Sequence, residues 1–139
     1  MKKKVGNAVR TKTQIRSSKS KGSQFEMNVE ASMQQMYPQC YRTHDRGYVK
    51  QYDLEDKDNQ IAIECKRMKS LSWNEAKRYY GKLVRFAPED YLKYLIFKSN
   101  QQPCLVMYSH RNTLVVEEFE SFFGFPFIKH TPTKKRSKQ

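Results

Sequence analysis

The chain has 139 residues, enough for one modest domain around a single core, and a formal net charge of +13. It shows no apolar run of the roughly 18 residues a membrane helix needs and no signal-peptide pattern, so a soluble cytoplasmic protein is expected. Its three cysteines, Cys40, Cys65 and Cys104, are odd in number and form no CxxC. That argues against structural zinc and a disulfide framework, and for buried thiols in a reducing compartment.

The placement of the charge says more than its size. Residues 1–21 hold eight Lys/Arg and no acid, and residues 129–139 hold five and no acid. The stretch between them carries as many acids as bases. Two basic, Ser/Thr-containing ends of this kind bury too little apolar surface to fold alone. They suit a polyanion held by counterion release, which points to nucleic acid. The expected organisation is a disordered basic arm over 1–20, a folded domain over 21–128, and a basic tail over 129–139.

Ser23-x-x-Glu26 fits a capping box, and Phe25, Val29, Met33 and Met36 follow at helical spacing. They predict a first helix from about Ser23 to Tyr37, stopped by Pro38. Cys40–Thr43 reads as a short strand, and His44–Gly47 as a polar connection. Tyr52-Asp53-Leu54 and Ile61–Lys66 read as two strands of a hairpin, turned by Glu55–Asn59. Ser72-x-x-Glu75 opens a helix over about 73–86, with Ala76, Tyr80, Leu83 and Val84 as its buried stripe. Tyr94–Phe97, Cys104–Tyr108 and Thr113–Val116 are further strands, and Glu117–Phe123 a last short helix. This α-β-β-β-α-β-β-β-α order predicts an α/β fold, a mixed sheet with helices packed on it. Phe122, Phe123, Phe125 and Phe127 are expected to complete the core rather than to form a self-association patch.

The hairpin carries the chemistry. Side chains alternate along a strand, so Glu64 and Lys66 share one face while Ile63 and Cys65 take the other. Closing the hairpin brings Asp53 towards Glu64. Two carboxylates offer the oxygens that Mg²⁺, or Mn²⁺ in its place, requires. Lys66 beside them can orient an attacking water and offset charge on a phosphodiester. The readings against this are solvated edge acids and a Lys66–Glu64 salt bridge. Glu26 is claimed equally by its capping box, with Glu30 one turn further on. Lys21, Arg42, His44, Arg46, Arg67 and Lys69 could grip phosphates as a set, though any one alone is an ordinary solvated charge. Trp73 and Tyr79 are candidates for stacking on an opened base, and Glu75 and Lys77 are weaker site candidates.

Asp53-x10-Glu64-x-Lys66 after an acid-bearing helix resembles the core of the PD-(D/E)xK nucleases. More narrowly, Lys21-Gly22-Ser23-Gln24-Phe25-Glu26 is similar to the opening of archaeal-type Holliday-junction resolvases, which phages also encode. Arg42 falls where that family has a basic residue, and Asp53-Leu54 and Ile63-Glu64-Cys65-Lys66 match its "DL" and "IEVK" segments. The resemblance covers about residues 21–116. Tyr52 stands in place of the usual proline, and 44–50 has no clear match to the family's serine-containing loop. The resemblance implies a restriction-endonuclease-like fold and a metal site of Glu26, Asp53, Glu64 and the Cys65 backbone carbonyl, with Lys66 catalytic. It implies a homodimer cutting opposed strands of branched DNA, in the host cytoplasm if a phage encodes it. Two other readings stay open on the residues: a nuclease of repair, nicking or restriction-like specificity, and a catalytically silent nucleic-acid-binding protein.

Overall fold

The computed structural model describes residues 12–44 and 51–129, with side chains from residue 22 onward. A mixed six-stranded sheet, flanked by helices on both faces, makes it an α/β fold. Helix α1 (Lys12–Met33) leads into β1 (Tyr41–Arg42), β2 (Leu54–Asp56) and β3 (Ile61–Met68). Then come α2 (Trp73–Phe86), β4 (Leu92–Ser99), β5 (Leu105–His110), β6 (Thr113–Glu118) and the short α3 (Phe119–Phe123). The order is the one the sequence predicts. Spatial order follows chain order from β1 to β6. Every neighbouring pair is antiparallel except β3 and β4, which run parallel because α2 crosses over between them.

Helix α1 begins earlier than its capping-box signature indicates. Residues 12–21 contain neither proline nor glycine, so nothing in them breaks a helix. The expected arm boundary at residue 20 falls inside α1, and Ser23-x-x-Glu26 lies within the helix rather than at its start. The helix ends at Met33, ahead of Pro38, and Met36, expected in the core, is 57 % exposed beyond its last turn.

The hairpin is also shifted. Glu55 and Asp56, expected in the turn, are buried strand residues of β2, paired with Ala62 and Ile61. Glu55 accepts from the Tyr52 hydroxyl at 2.7 Å, and Asp56 accepts from the Asn59 backbone and side chain. These partners are what let two carboxylates lie in the sheet. Asp53 stands just before β2, yet its backbone is held from both sides. Its N–H donates to the Ile63 carbonyl and its carbonyl accepts from the Thr43 N–H, both at 2.9 Å.

Alternation along β3 divides the core. Ile61, Ile63 and Cys65 pack with Phe25, Val29 and Met33 of α1 and with Phe119 and Phe127. Ala62 and Met68 pack with Ala76, Tyr80 and Leu83 of α2. Ser72 caps α2 as predicted, accepting from the Glu75 N–H at 3.3 Å. Val84 is a correction: at 47 % exposed it lies outside the stripe, because Ala76, Tyr80 and Leu83 centre the buried face on its other side. The C-terminal aromatics do build core. Phe119 and Phe127 are buried, and Phe122, Phe123 and Phe125 pack against them in a chain of ring contacts that includes Tyr94 and Tyr108. Among the described residues, no helix is long and apolar enough to cross a membrane.

Candidate active site

Asp53, Glu64 and Lys66 meet on the α2 side of the hairpin. Asp53 Oδ2 accepts the Cys65 N–H at 2.8 Å, so the neighbouring strand fixes its carboxylate. The Asp53 and Glu64 carboxyl groups lie close enough for Asp53 to raise the pKa of Glu64. Lys66 Nζ lies 3.8 Å from Glu64 Oε2. The ammonium also sits over the Tyr79 ring, 4.5 Å from its centroid, which holds the lysine from the helix side.

A second lysine enters from α2. Lys82 Nζ is 4.0 Å from the same Glu64 oxygen. The sequence reading does not include it. The available signal was the helix itself: Lys82 lies one turn after Tyr79 on the same flank of the Ala76–Tyr80–Leu83 stripe. What the sequence does not supply is the crossover that turns this flank towards β3. Glu64 is only 4 % exposed, whereas the two lysines are partly open to solvent, so their ammonium groups mark the mouth of the site.

Burial and the charge of Asp53 set the protonation. Glu64 is pushed up to about 7, first by burial and then by Asp53, against the pull of the two lysines. Asp53 is raised by burial, opposed by the Cys65 N–H and by Lys66. Glu26 is raised by burial and by Asp53, with Arg42 opposing. Glu26 and Glu64 therefore both feel the charge of Asp53.

They do not all converge. Arg42 takes Glu26 Oε1 with Nε at 3.2 Å and Nη2 at 3.1 Å, and also reaches Ser23 Oγ at 3.4 Å. Glu30 accepts the Arg42 backbone N–H at 2.8 Å. Both acids of α1 thus fasten β1 to the helix. Among the described residues, no three His, Cys, Asp or Glu side chains gather into a metal-holding group. What the site offers is the Asp53–Glu64 pair, with Glu26 behind Arg42. That pair fits magnesium's habit of taking one or two carboxylates and completing its octahedron with water and phosphate oxygens. Asp53 raises the buried Glu64 further than Lys66 and Lys82 offset, so a bound cation would be favoured there. The Cys65 thiol points to the opposite layer and is held neutral by burial, so Cys65 faces the carboxylates through its backbone.

The predicted phosphate contacts scatter. His44 is exposed near enough to Glu26 to lower its pKa, and Lys69 is exposed just beyond β3. Arg67 is on the other face of β3 from Lys66. It braces two strands, donating to the Met68 and Lys98 carbonyls and to Asn100 Oδ1 at 2.9, 3.2 and 2.8 Å. Lys21 contributes its backbone to α1, and its side chain and the whole of Arg46 lie outside the described residues. A cleft of about 440 Å³ lined by Lys98, Cys104, Phe127 and Lys129 lies away from the carboxylates.

No protein-family model matches the chain, and no curated protein or solved structure matches it.

Proposed function

We propose that this chain is a metal-dependent endonuclease acting on branched DNA in the cytoplasm, a Holliday-junction resolvase with a restriction-endonuclease-like core that works as a homodimer. The observation that carries the reading is the pairing of Asp53 with Glu64 on one hairpin beneath two lysines from different elements. Asp53 and Glu64 are two adjoining buried carboxylates, with Lys66 and Lys82 at the mouth of the site, and such a set suits a hard cation and a phosphodiester.

Asp53 and Glu64 would hold Mg²⁺ or Mn²⁺, with Glu26 adding negative charge from α1. When bound, that ion supplies Lewis-acid stabilisation of the phosphoryl oxygens and a more acidic water. The chain's own groups do the rest. The Cys65 N–H keeps Asp53 oriented before any ligand arrives. Lys66, steadied over Tyr79, orients the water that attacks phosphorus as the bond to the leaving ester oxygen breaks. Lys82 offsets the charge that builds on the phosphate. The basic ends of the chain add affinity without sequence discrimination.

The test is cleavage of a labelled four-way junction beside a linear duplex of the same sequence, with Mg²⁺, with EDTA, and with Asp53→Ala protein. Paired symmetric nicks in the junction alone, dependent on Mg²⁺ and lost in the variant, are expected. Equal cutting of both substrates would leave a nuclease of other specificity. Binding without cutting in either metal would leave a silent DNA-binding protein.

A further inference from the structure

Helix α2 has one feature that nothing among the described residues explains. Gly81 sits near its middle, on the exposed side. Its φ is not positive, and a Cβ added there would meet nothing within 4 Å. Neither backbone conformation nor packing calls for glycine, although glycine is the poorest helix-interior residue after proline.

The surroundings of Gly81 are basic. Lys77 and Arg78 lie one turn before it and Arg85 one turn after, and Lys82, next in sequence, takes the flank that faces Glu64. Lys77, Arg78 and Arg85 are exposed, on the side away from the buried Ala76, Tyr80 and Leu83. Against these four cations α2 has a single acid, Glu75, which Arg78 partners at 3.9 Å. A spot without a side chain, flanked by cations, lets a partner come close to the helix backbone. The partner it fits is a chain of phosphates. Lys82 ties this face to the carboxylates, since its Nζ reaches Glu64.

We propose that the exposed face of α2, centred on Gly81 and flanked by Lys77, Arg78 and Arg85, with Lys82 at its edge towards the carboxylates, seats the phosphate backbone of the DNA arm that is to be cut. The inference deepens the nuclease reading and rests on it. It adds a contact surface within the charge-balanced middle of the chain, apart from the basic ends.

The test is Gly81→Ala in the full chain, read by thermal melting and by binding of a fluorescein-labelled four-way junction in EDTA. As an exposed helix substitution the variant should melt higher, by about 4 °C. If phosphates approach the backbone there, the same variant should bind the junction about tenfold more weakly. Arg78→Gln with Arg85→Gln should lower the slope of log affinity against log salt by about two, one per lost phosphate contact. A Gly81→Ala protein that melts higher and binds like wild type would overturn the inference while leaving the nuclease reading intact. An unchanged salt slope in the double variant would do the same. Wild-type protein that binds no DNA would overturn both.

Discussion

Lys82 of α2 and Glu64 of β3 are 4.0 Å apart across a helix–sheet contact, and Glu64 has Lys66 of its own strand at 3.8 Å. One buried carboxylate thus answers to two cations that arrive by different routes. Removing either should hurt catalysis unequally. Lys66→Ala should cut kcat/KM for junction cleavage by roughly 100-fold or more, the scale of losing a positioned group at the reacting centre. Lys82→Ala should cost about tenfold. Single-turnover cleavage of both variants checks the ranking, and equal losses would show that the two lysines act as one unit.

The raised pKa of Glu64 makes stability depend on pH. Between its ordinary value of 4.5 and about 7, the folded protein keeps a proton that the unfolded chain has released. The folded state is therefore favoured below that window and loses stability as pH rises through it. In EDTA the melting temperature should fall between pH 5 and pH 7.5. Glu64→Gln should flatten that fall and gain on the order of 2–3 kcal/mol at the upper end. Thermal melts across the range decide it.

Mg²⁺ should act on the same balance from the other side. A cation on Asp53 and Glu64 favours their ionised forms. Millimolar Mg²⁺ should raise the melting temperature at pH 7.5 and leave it nearly unchanged at pH 5, and EDTA should reverse the gain. In Asp53→Ala/Glu64→Gln protein the effect should vanish. Calorimetric melts with and without the ion measure it.

Arg42, which the sequence offers as a phosphate contact, clasps Glu26 in the fold. Arg42→Ala should destabilise by about 1–2 kcal/mol, because it leaves a half-buried acid without its partner. Adding Glu26→Gln should restore most of that loss. Chemical denaturation of the four proteins in the cycle gives the coupling. DNA affinity of the double variant then reports whether Arg42 also touches phosphate, since its structural role has been removed.

The element order was legible because apolar periodicity and turn residues carry it. Phe25, Val29 and Met33 mark one buried face, and Ala76, Tyr80 and Leu83 another. The boundaries were not. Ser23-x-x-Glu26 has the same letters whether it starts a helix or lies within one. Glu55 and Asp56 look like turn residues until their partners Tyr52 and Asn59 are known. Asp53, Glu64 and Lys66 could be brought together on paper since one hairpin joins them. Lys82 could not, because its approach depends on how α2 packs after the crossover. Gly81 carried no signal either, since only the empty space around it separates it from a packed glycine.

The parallel pairing of β3 with β4 has a bearing on the order in which the site forms. Asp53 and Glu64 meet by closing a short loop, a contact local in sequence. Lys82 reaches Glu64 only after α2 has swung back over the sheet, a longer closure with a larger entropy cost. Refolding should therefore bring the acids together before the second cation arrives. Until α2 docks, Glu64 lies open to water and titrates close to its ordinary value, so alkaline pH should slow the docking of α2, which buries it, and leave closure of the hairpin less affected.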